Sequence, residues 1–98
     1  MNVEPIKFTD EIKELVGLDA LEFYGATEKG RKITCMVQKQ ALEDFFDKSI
    51  NEDFKSCFSR MKFFILNIAR ILVYNNEYNS DGVYDIDNKA CMKYKHLL

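Results

Sequence analysis

LEFYGATEKGRKITCMV, residues 21–37, is the stretch on which the fold turns. Two strand-like runs, LEFYGA (21–26) and RKITCMV (31–37), are joined by Thr27-Glu28-Lys29-Gly30. A four-residue connection containing Gly between such runs reads as a β-hairpin. Side chains alternate across a strand, so Ile33, Cys35 and Val37 share one face with Leu21 and Phe23, while Lys32, Thr34 and Gln38 take the other. Tyr24 and Met36 fall on that second face, which is therefore not wholly polar.

Upstream, Ile6 and Phe8 alternate with Lys7 and Thr9 after Pro5, which predicts a short first strand at an edge. Asp10 can then cap a brief helical turn through Glu14, ended by Gly17. Downstream the period changes from two to three and four. Ala41, Leu42, Phe45 and Phe46 make the stripe of a short helix over about 39–48, with Glu43, Asp44 and Asp47 outside it. Ser49 with Glu52 is a capping-box pattern and Asn51 is a second candidate cap. From there one long helix is predicted to Asn75 or Asn76, striped by Phe54, Cys57, Phe58, Met61, Phe64, Ile65, Ile68, Ala69 and Leu72. The Asn-rich NNEYNSDG (75–82) stops it. Val83 to Ile86 reads as a last strand, and Asp87 or Asn88 can cap a terminal helical turn through Met92.

Within the long helix, MKFFILNIARILVY (61–74) is apolar enough to raise the question of a membrane. It reaches only about 21 Å at roughly 1.5 Å per residue, against a bilayer core of about 30 Å, and it contains Asn67 and Arg70. A span is excluded. The stripe leaves Phe63, Leu66 and Val73 on a second face with Arg70 between them, and these four residues are the candidate interaction surface. The short helix, the chain ends or a second subunit would cover it.

The chain has 98 residues, 47% of them hydrophobic and 31% charged, with a net charge of −2. One core is all that such a length supports, so residues 1–98 are expected to form a single domain, ordered over about 6–92 with a flexible tail at 93–98. Acids crowd the N-terminal third (Glu4, Asp10, Glu11, Glu14, Asp19, Glu22, Glu28), whereas 55–75 carries Lys55, Arg60, Lys62 and Arg70 and no acid. Those few cations make a thin footprint for nucleic acid, where phosphate neutralisation dominates affinity. Cys35, Cys57 and Cys91 are an odd number at wide spacing, which suits reduced thiols in a cytoplasmic protein. Cys35 and Cys57 fit as small buried residues and Cys91 as a more exposed one. MNVEPIKFTDEIKE has no basic n-region followed by an apolar run, so no secretory signal is read.

Motifs for chemistry are sparse. EYNSDGVYDIDN (77–88) places Asn79, Asp81, Gly82 and Asp85 where a calcium loop wants oxygens and a glycine turn. Its first position is Glu77 rather than Asp, and its twelfth is Asn88 rather than the bidentate Glu. Cys35 has no neighbouring histidine to hold a thiolate, and the lone His96 in the terminal KHLL leaves no hydrolytic triad. The acid pairs Glu43/Asp44 and Asp85/Asp87 read as a solvated helix face and strand-end residues. GxGxxG and GxxxxGK[ST] are absent. Catalytic, cofactor-binding and metal-ligating residues are therefore expected to be none. Aromatics on an open sheet can platform bases, and here Tyr24 and Tyr84 with Lys29, Arg31 and Lys32 at the hairpin are the candidates. Tyr24, Arg31 and Lys32 are the candidate sheet-face contacts.

IKFTD (6–10), LEFYGA, KITCMV (32–37) and ALEDFF (41–46) together resemble a small bacterial family of the proteobacteria, domain of unknown function 1488. Its I-x-F-x-D, V-x-F-x-A, Gly-turn, I/V-T-C-x-V/I and A/S-L segments correspond here to Ile6, Phe8 and Asp10, to Leu21, Phe23 and Gly25, to Gly30, to Ile33, Thr34, Cys35 and Val37, and to Leu42. Weaker similarity runs over Phe58, Ala69, Gly82, Val83 and Ile86. The family often has a capping Ser where Gln38 stands and a Trp near position 13 or 15; this chain has neither. The resemblance implies an α+β domain with a small antiparallel sheet backed by helices, and it implies no activity.

The expectation is an α+β fold: a three- to four-stranded antiparallel sheet packed on one face by a long and a short helix. A non-enzymatic cytoplasmic interaction module fits best, its partner an unknown protein or a second copy of itself, with no cofactor and no membrane. A ligand- or nucleic-acid-binding regulator using the open sheet face is the alternative, and a thiol-dependent enzyme built on Cys35 is a second.

Overall fold

The hairpin forms where local alternation places it. In the computed structural model, which describes residues 5–94, β2 (Ala20–Thr27) pairs antiparallel with β3 (Lys32–Gln38), Phe23 opposite Cys35 and Leu21 opposite Val37. Gly30, at φ +84°, makes the turn, and its N–H donates to the Thr27 carbonyl at 2.9 Å. The Thr27 hydroxyl, buried, accepts from the Arg31 N–H at 3.1 Å. Leu21, Phe23, Ile33, Cys35 and Val37 are all buried on one face, as the alternation predicts.

The first strand is longer than expected. β1 runs Ile6–Leu15 and pairs antiparallel with β2, followed by a 3₁₀ turn at Val16–Leu18, so no helical turn forms at Asp10–Glu14. Phe8 stands opposite Gly25 and Ile12 opposite Phe23, so β1 spends two more residues than β2 over this interval and bulges. Inside the bulge the Thr9 hydroxyl accepts from the Glu11 N–H at 3.3 Å. Phe8 and Ile12 both reach the core by this route, and that tertiary gain overrides the helix-like spacing of 10–14. Gly25 is required by the close approach of β1. A Cβ there would lie 2.9 Å from Ile6 Cγ2 and 3.1 Å from both the Lys7 carbonyl and the Phe8 ring.

After β3 the chain forms α1 (Lys39–Phe45), α2 (Phe54–Arg60) and α3 (Lys62–Tyr74). The predicted single long helix is interrupted at Met61 (φ −102°, ψ 14°), although neither Pro nor Gly is present. The break adjoins Arg60, whose guanidinium is drawn back to the 46–52 segment. The cap of α2 is Asp53, which accepts from the Ser56 N–H at 2.7 Å, not Ser49 or Asn51. The Ser49 N–H does reach the Glu52 carboxylate at 3.2 Å, so half of the capping box exists one turn too early. α3 ends as its asparagines dictate. Asn76 takes a left-handed conformation (φ 54°), its N–H bonds to Val73 and that of Glu77 bonds to Leu72, a Schellman closure.

This three-helix crossover returns the chain to the end of the sheet where β3 began. β4 (Tyr84–Ile86) therefore pairs parallel with β3, and the sheet is mixed with strand order β1-β2-β3-β4 rather than wholly antiparallel. The α+β class holds. α4 (Asn88–Tyr94) closes the chain, capped by the Asp87 carboxylate accepting from the Ala90 N–H at 2.9 Å. It runs two residues past Met92 and buries Tyr94; the rest of the expected tail, 95–98, lies outside the described residues. The helices cover one sheet face around Phe23, Phe46 and Phe58, all fully buried, with Phe23 edge-on to Phe58 at 5.1 Å.

Candidate functional site

The predicted surface residues of α3 separate in the structure. Val73 is buried at 5% exposure and belongs to the core, so it offers nothing to a partner. Leu66 is half-buried against the core, and Arg70 lies over the Phe8 ring at 5.1 Å, shielding the inner face of β1. Phe63 alone of the four stands out, 70% exposed. It stacks edge-on with Phe64 at 5.5 Å, and Phe64 is itself 38% exposed, although periodicity assigned it to the core stripe. Beside this pair Lys62 Nζ meets the Asp10 carboxylate at 3.2 Å, tying the start of α3 to the bulge of β1.

The sheet-face candidates also part company. Tyr84 pairs with Cys35 and points into the core, buried, so it cannot join Tyr24 on the open face. Tyr24 is half-buried there, and its hydroxyl donates to the Glu22 carboxylate; that bond pushes its pKa up to about 12. Thr9, Glu11, Tyr24, Lys32 and Thr34 surround a depression of about 410 Å³ floored by Gly25 and Ala26. Glu11 and Lys32, of opposite charge, both line it, and Arg31 is exposed at the hairpin end.

A second depression of about 390 Å³ sits at the carboxyl ends of β3 and β4, lined by Gln38, Gln40, Asp85, Asp87, Asn88 and Lys89. Gln38 leaves α1 without a side-chain cap and donates instead to both Asp85 oxygens, at 3.0 and 3.2 Å. Burial raises the Asp85 pKa, the Gln38 bond opposes the rise and the nearby Asp87 charge adds to it. Gln40 and Asn88 both donate to Asp44, at 2.9 and 2.8 Å, which lowers its pKa. These polar groups are mostly spent on one another and tie α1 to β4 and α4.

The cysteines are structural in their placement. Cys35, Cys57 and Cys91 are all buried, Cys91 included, because α4 packs it inward. Burial alone drives the Cys35 thiol up to about 12, far from a nucleophile's range. Cys57 is also raised, first by burial, and its thiol lies 3.6 Å from the Phe46 carbonyl. In the 77–88 loop Asn79 turns its oxygen inward to accept from the Asp81 and Val83 N–H groups, at 2.9 and 3.0 Å, and so spends its side chain on the turn. Glu77 is held by Lys93 and Tyr94. Among the described residues no three His, Cys, Asp or Glu side chains gather as a metal-binding set, and no helix is long and apolar enough to cross a membrane. His96 lies outside the described residues.

A further group of exposed apolar residues escaped the periodic reading. Ile50 is 94% exposed in the α1–α2 loop, and Val16 and Leu18 are 85% and 60% exposed in the β1–β2 turn. Ile50 is an isolated aliphatic residue inside a polar loop, and Val16 and Leu18 flank Gly17 in a short apolar run; neither pattern follows a helix or strand period.

Comparison with known proteins follows the same architecture. A family described as "Protein of unknown function (DUF1488)" matches residues 6–86. The crystal structure of a protein of unknown function from the DUF1488 family of Shewanella loihica PV-4 is similar to this chain with a TM-score of 0.74. The two share 26% sequence identity over 88% of this chain and 94% of that one. No curated protein matches the sequence.

Proposed function

This chain belongs to the DUF1488 family of proteins of unknown function, and on that premise we propose that it is a non-catalytic cytoplasmic module that pairs with a second copy of itself through the start of α3. The observation that carries this reading is the edge-stacked pair Phe63–Phe64, left 70% and 38% exposed where a helix of the core meets the outermost strand. Large aromatic side chains in the open are the usual anchors of an interface.

A second copy is favoured as the occupant by the charges around the pair. Lys62 on α3 and Asp10 on β1 lie side by side, and the Asp10 carboxylate is 98% exposed. A surface that carries both signs next to an apolar centre complements itself under a two-fold axis. The bulge in β1 disfavours the other route to a dimer, strand addition at the sheet edge, because it breaks the row of pairing groups. The thiol reading is weighed down by the buried Cys35. The nucleic-acid reading suffers from the inward Tyr84 and from Glu11 beside Lys32.

Light scattering coupled to size exclusion tests the proposal. The wild-type chain is expected at twice the mass of one chain, and Phe63→Ser at the mass of one chain with an unchanged circular dichroism spectrum. A wild-type protein that stays monomeric at about 100 µM, well above the micromolar affinities of ordinary transient dimers, overturns it.

A further inference from the structure

The bulge in β1 opens a depression on the sheet face away from the helices. Between Phe8 and Ile12 the strand carries two more residues than β2 does between Gly25 and Phe23, and the excess bends it away from its neighbour. Asp10, in the middle of the excess, turns toward α3 and meets Lys62 at 3.2 Å. Thr9 and Glu11, on either side of it, line the depression of about 410 Å³ on the open side. That volume lies in the range of small-ligand sites.

The register supplies the other walls. Directly opposed residues put their side chains on one face, so Lys7, Ala26 and Lys32 form a row across the three strands, and Tyr24 and Thr34 belong to the next. Ala26 is the small member between two lysines, which leaves the row open at its centre. The Tyr24 hydroxyl is spent on Glu22, so its half-buried ring presents an apolar wall. The Thr9 oxygen accepts from the Glu11 N–H, and its own O–H stays available as a donor.

Glu11 stands on β1 and Lys32 on β3, so β2 runs between their backbones, which lie about 10 Å apart at the spacing of paired strands. Among the described residues neither side chain enters an ion pair, with the other or with a third group. Lys7 adds to the cationic end, as do Lys29 and Arg31 against Glu28 at the hairpin. On the far side of Tyr24, Glu22 is bound by the tyrosine and Lys13 stands opposite it. The depression therefore holds an unpaired carboxylate at one side and an unpaired ammonium at the other, with an apolar ring beside them.

We propose that this depression binds a small zwitterion with an apolar side group, an α-amino acid by chemical class. Its carboxylate faces Lys32, its ammonium faces Glu11, and its side group lies against the Tyr24 ring. The flexible stems of Glu11 and Lys32 close much of the gap between the strands, which suits two charges held on one α-carbon. A simple anion would meet the Glu11 carboxylate, and a simple cation would meet Lys32 with Lys7 behind it, so a molecule carrying both signs is favoured over either. The site lies on the opposite sheet face from Phe63 and does not depend on self-association there.

The test is a titration of the isotope-labelled full-length protein with L-leucine and with L-phenylalanine, followed by amide chemical shifts. Isoamylamine and isocaproate, which keep the leucine side group and one charge each, are the comparison probes. Saturable shifts are expected at Thr9, Glu11, Tyr24, Ala26 and Lys32, with a dissociation constant of about 1 mM or below for at least one amino acid. Both single-charge probes should bind about tenfold or more weaker, the loss expected for one charge-assisted bond. Glu11→Gln and Lys32→Met should each weaken the amino acid by a similar factor, and Lys13→Met should not. All three side chains are exposed, so the fold of each variant is kept and its free spectrum checks this. The proposal is overturned if neither amino acid saturates by about 20 mM, or if a single-charge probe binds as tightly. It is equally overturned if Glu11→Gln or Lys32→Met binds like wild type, or if Lys13→Met loses as much as they do. The mass of the wild-type chain by light scattering is independent of these outcomes, so failure here and failure of the self-association reading are told apart.

Discussion

Arg60 and Glu52 face each other fork to fork, with Nε on one carboxylate oxygen and Nη2 on the other, both at 2.9 Å. The same Nη2 donates to the carbonyl of Asp47 at 2.9 Å. A guanidinium can satisfy a carboxylate and a loop carbonyl together because its donors lie in one plane; an ammonium cannot reproduce that geometry. Arg60→Lys is therefore expected to behave like Arg60→Met. Both should lower the unfolding midpoint and speed amide exchange in the 48–52 segment, as hydrogen-exchange mass spectrometry would record.

The same pair gives a pH dependence with a defined sign. The bonds from Arg60 hold the Glu52 pKa at about 2, below its ordinary 4.5. A carboxylate depressed on folding contributes stability that is present above 4.5 and lost as pH falls toward about 2. In acid titrations followed by circular dichroism, Glu52→Gln should flatten the decline across that window. An unchanged acid limb would mean that other carboxylates set it.

Gly25 marks the closest approach of β1 to β2. An added Cβ would press on the Lys7 backbone at 3.1 Å, which cannot swing aside as a side-chain end can, and on the Ile6 side chain at 2.9 Å. Gly25→Ala should cost about 1–3 kcal/mol, the range for overpacking a filled site. Gly17, with nothing within 4 Å of its absent Cβ and no positive φ, is the control; Gly17→Ala should stay within about 0.5 kcal/mol. Denaturant titrations of both variants measure the difference.

How far the sequence could be read depended on the range of the forces involved. The hairpin at 21–37 was legible because alternation and a Gly turn are local. The stop of the long helix at Asn75 or Asn76 was legible because an Asn-rich run favours turns, although the Schellman closure itself was not. The direction of β4 was not, since the crossover of α1, α2 and α3 sets it and no residue of 84–86 records it. Met61 reads as mid-helix, and the break there adjoins Arg60, whose bonds to Glu52 and Asp47 are long-range and leave no periodic signal. Val73 was placed outside the core because periodicity gives the direction of a side chain but not the width of what covers it. Ile50 carried no periodic signal at all.

Cys35 provides a test of the sheet core. Burial takes its pKa to about 12, so at neutral pH almost none of it is thiolate in the folded protein, and the thiolate is the reactive form. Labelling with a small maleimide followed by peptide mass spectrometry should find Cys35 unmodified in the native chain and modified once denaturant is added. Its labelling rate should then track global unfolding, because residue 35 pairs with both Phe23 and Tyr84 at the centre of the sheet and is not released by local fraying. Rapid native labelling would remove it from the core and reopen the thiol reading.

One side chain ties the last helix to the end of α3 from the buried side. The Tyr94 hydroxyl donates to Glu77 and accepts from the Asn75 amide at 3.2 Å, bringing α4 against the closed end of α3, while Lys93 meets Glu77 at 2.6 Å from the exposed side. Burial works to raise the Glu77 pKa, but the bonds from Lys93 and Tyr94 together hold it below its ordinary value. Tyr94→Phe keeps the buried ring and removes only the hydroxyl, so its cost should be about 0.5–1.5 kcal/mol, the net worth of a hydrogen bond. Glu77 then loses one of the bonds that favour its charged form. The stability it contributes above the ordinary carboxylate range should shrink, so the gap between variant and wild type should narrow as pH falls below 4.5. Met92, 73% exposed on the same helix, separates the latch from mere helix propensity. Met92→Ala should leave the unfolding midpoint within about 0.5 kcal/mol. Equal losses in the two variants would show that α4 is held by its backbone alone.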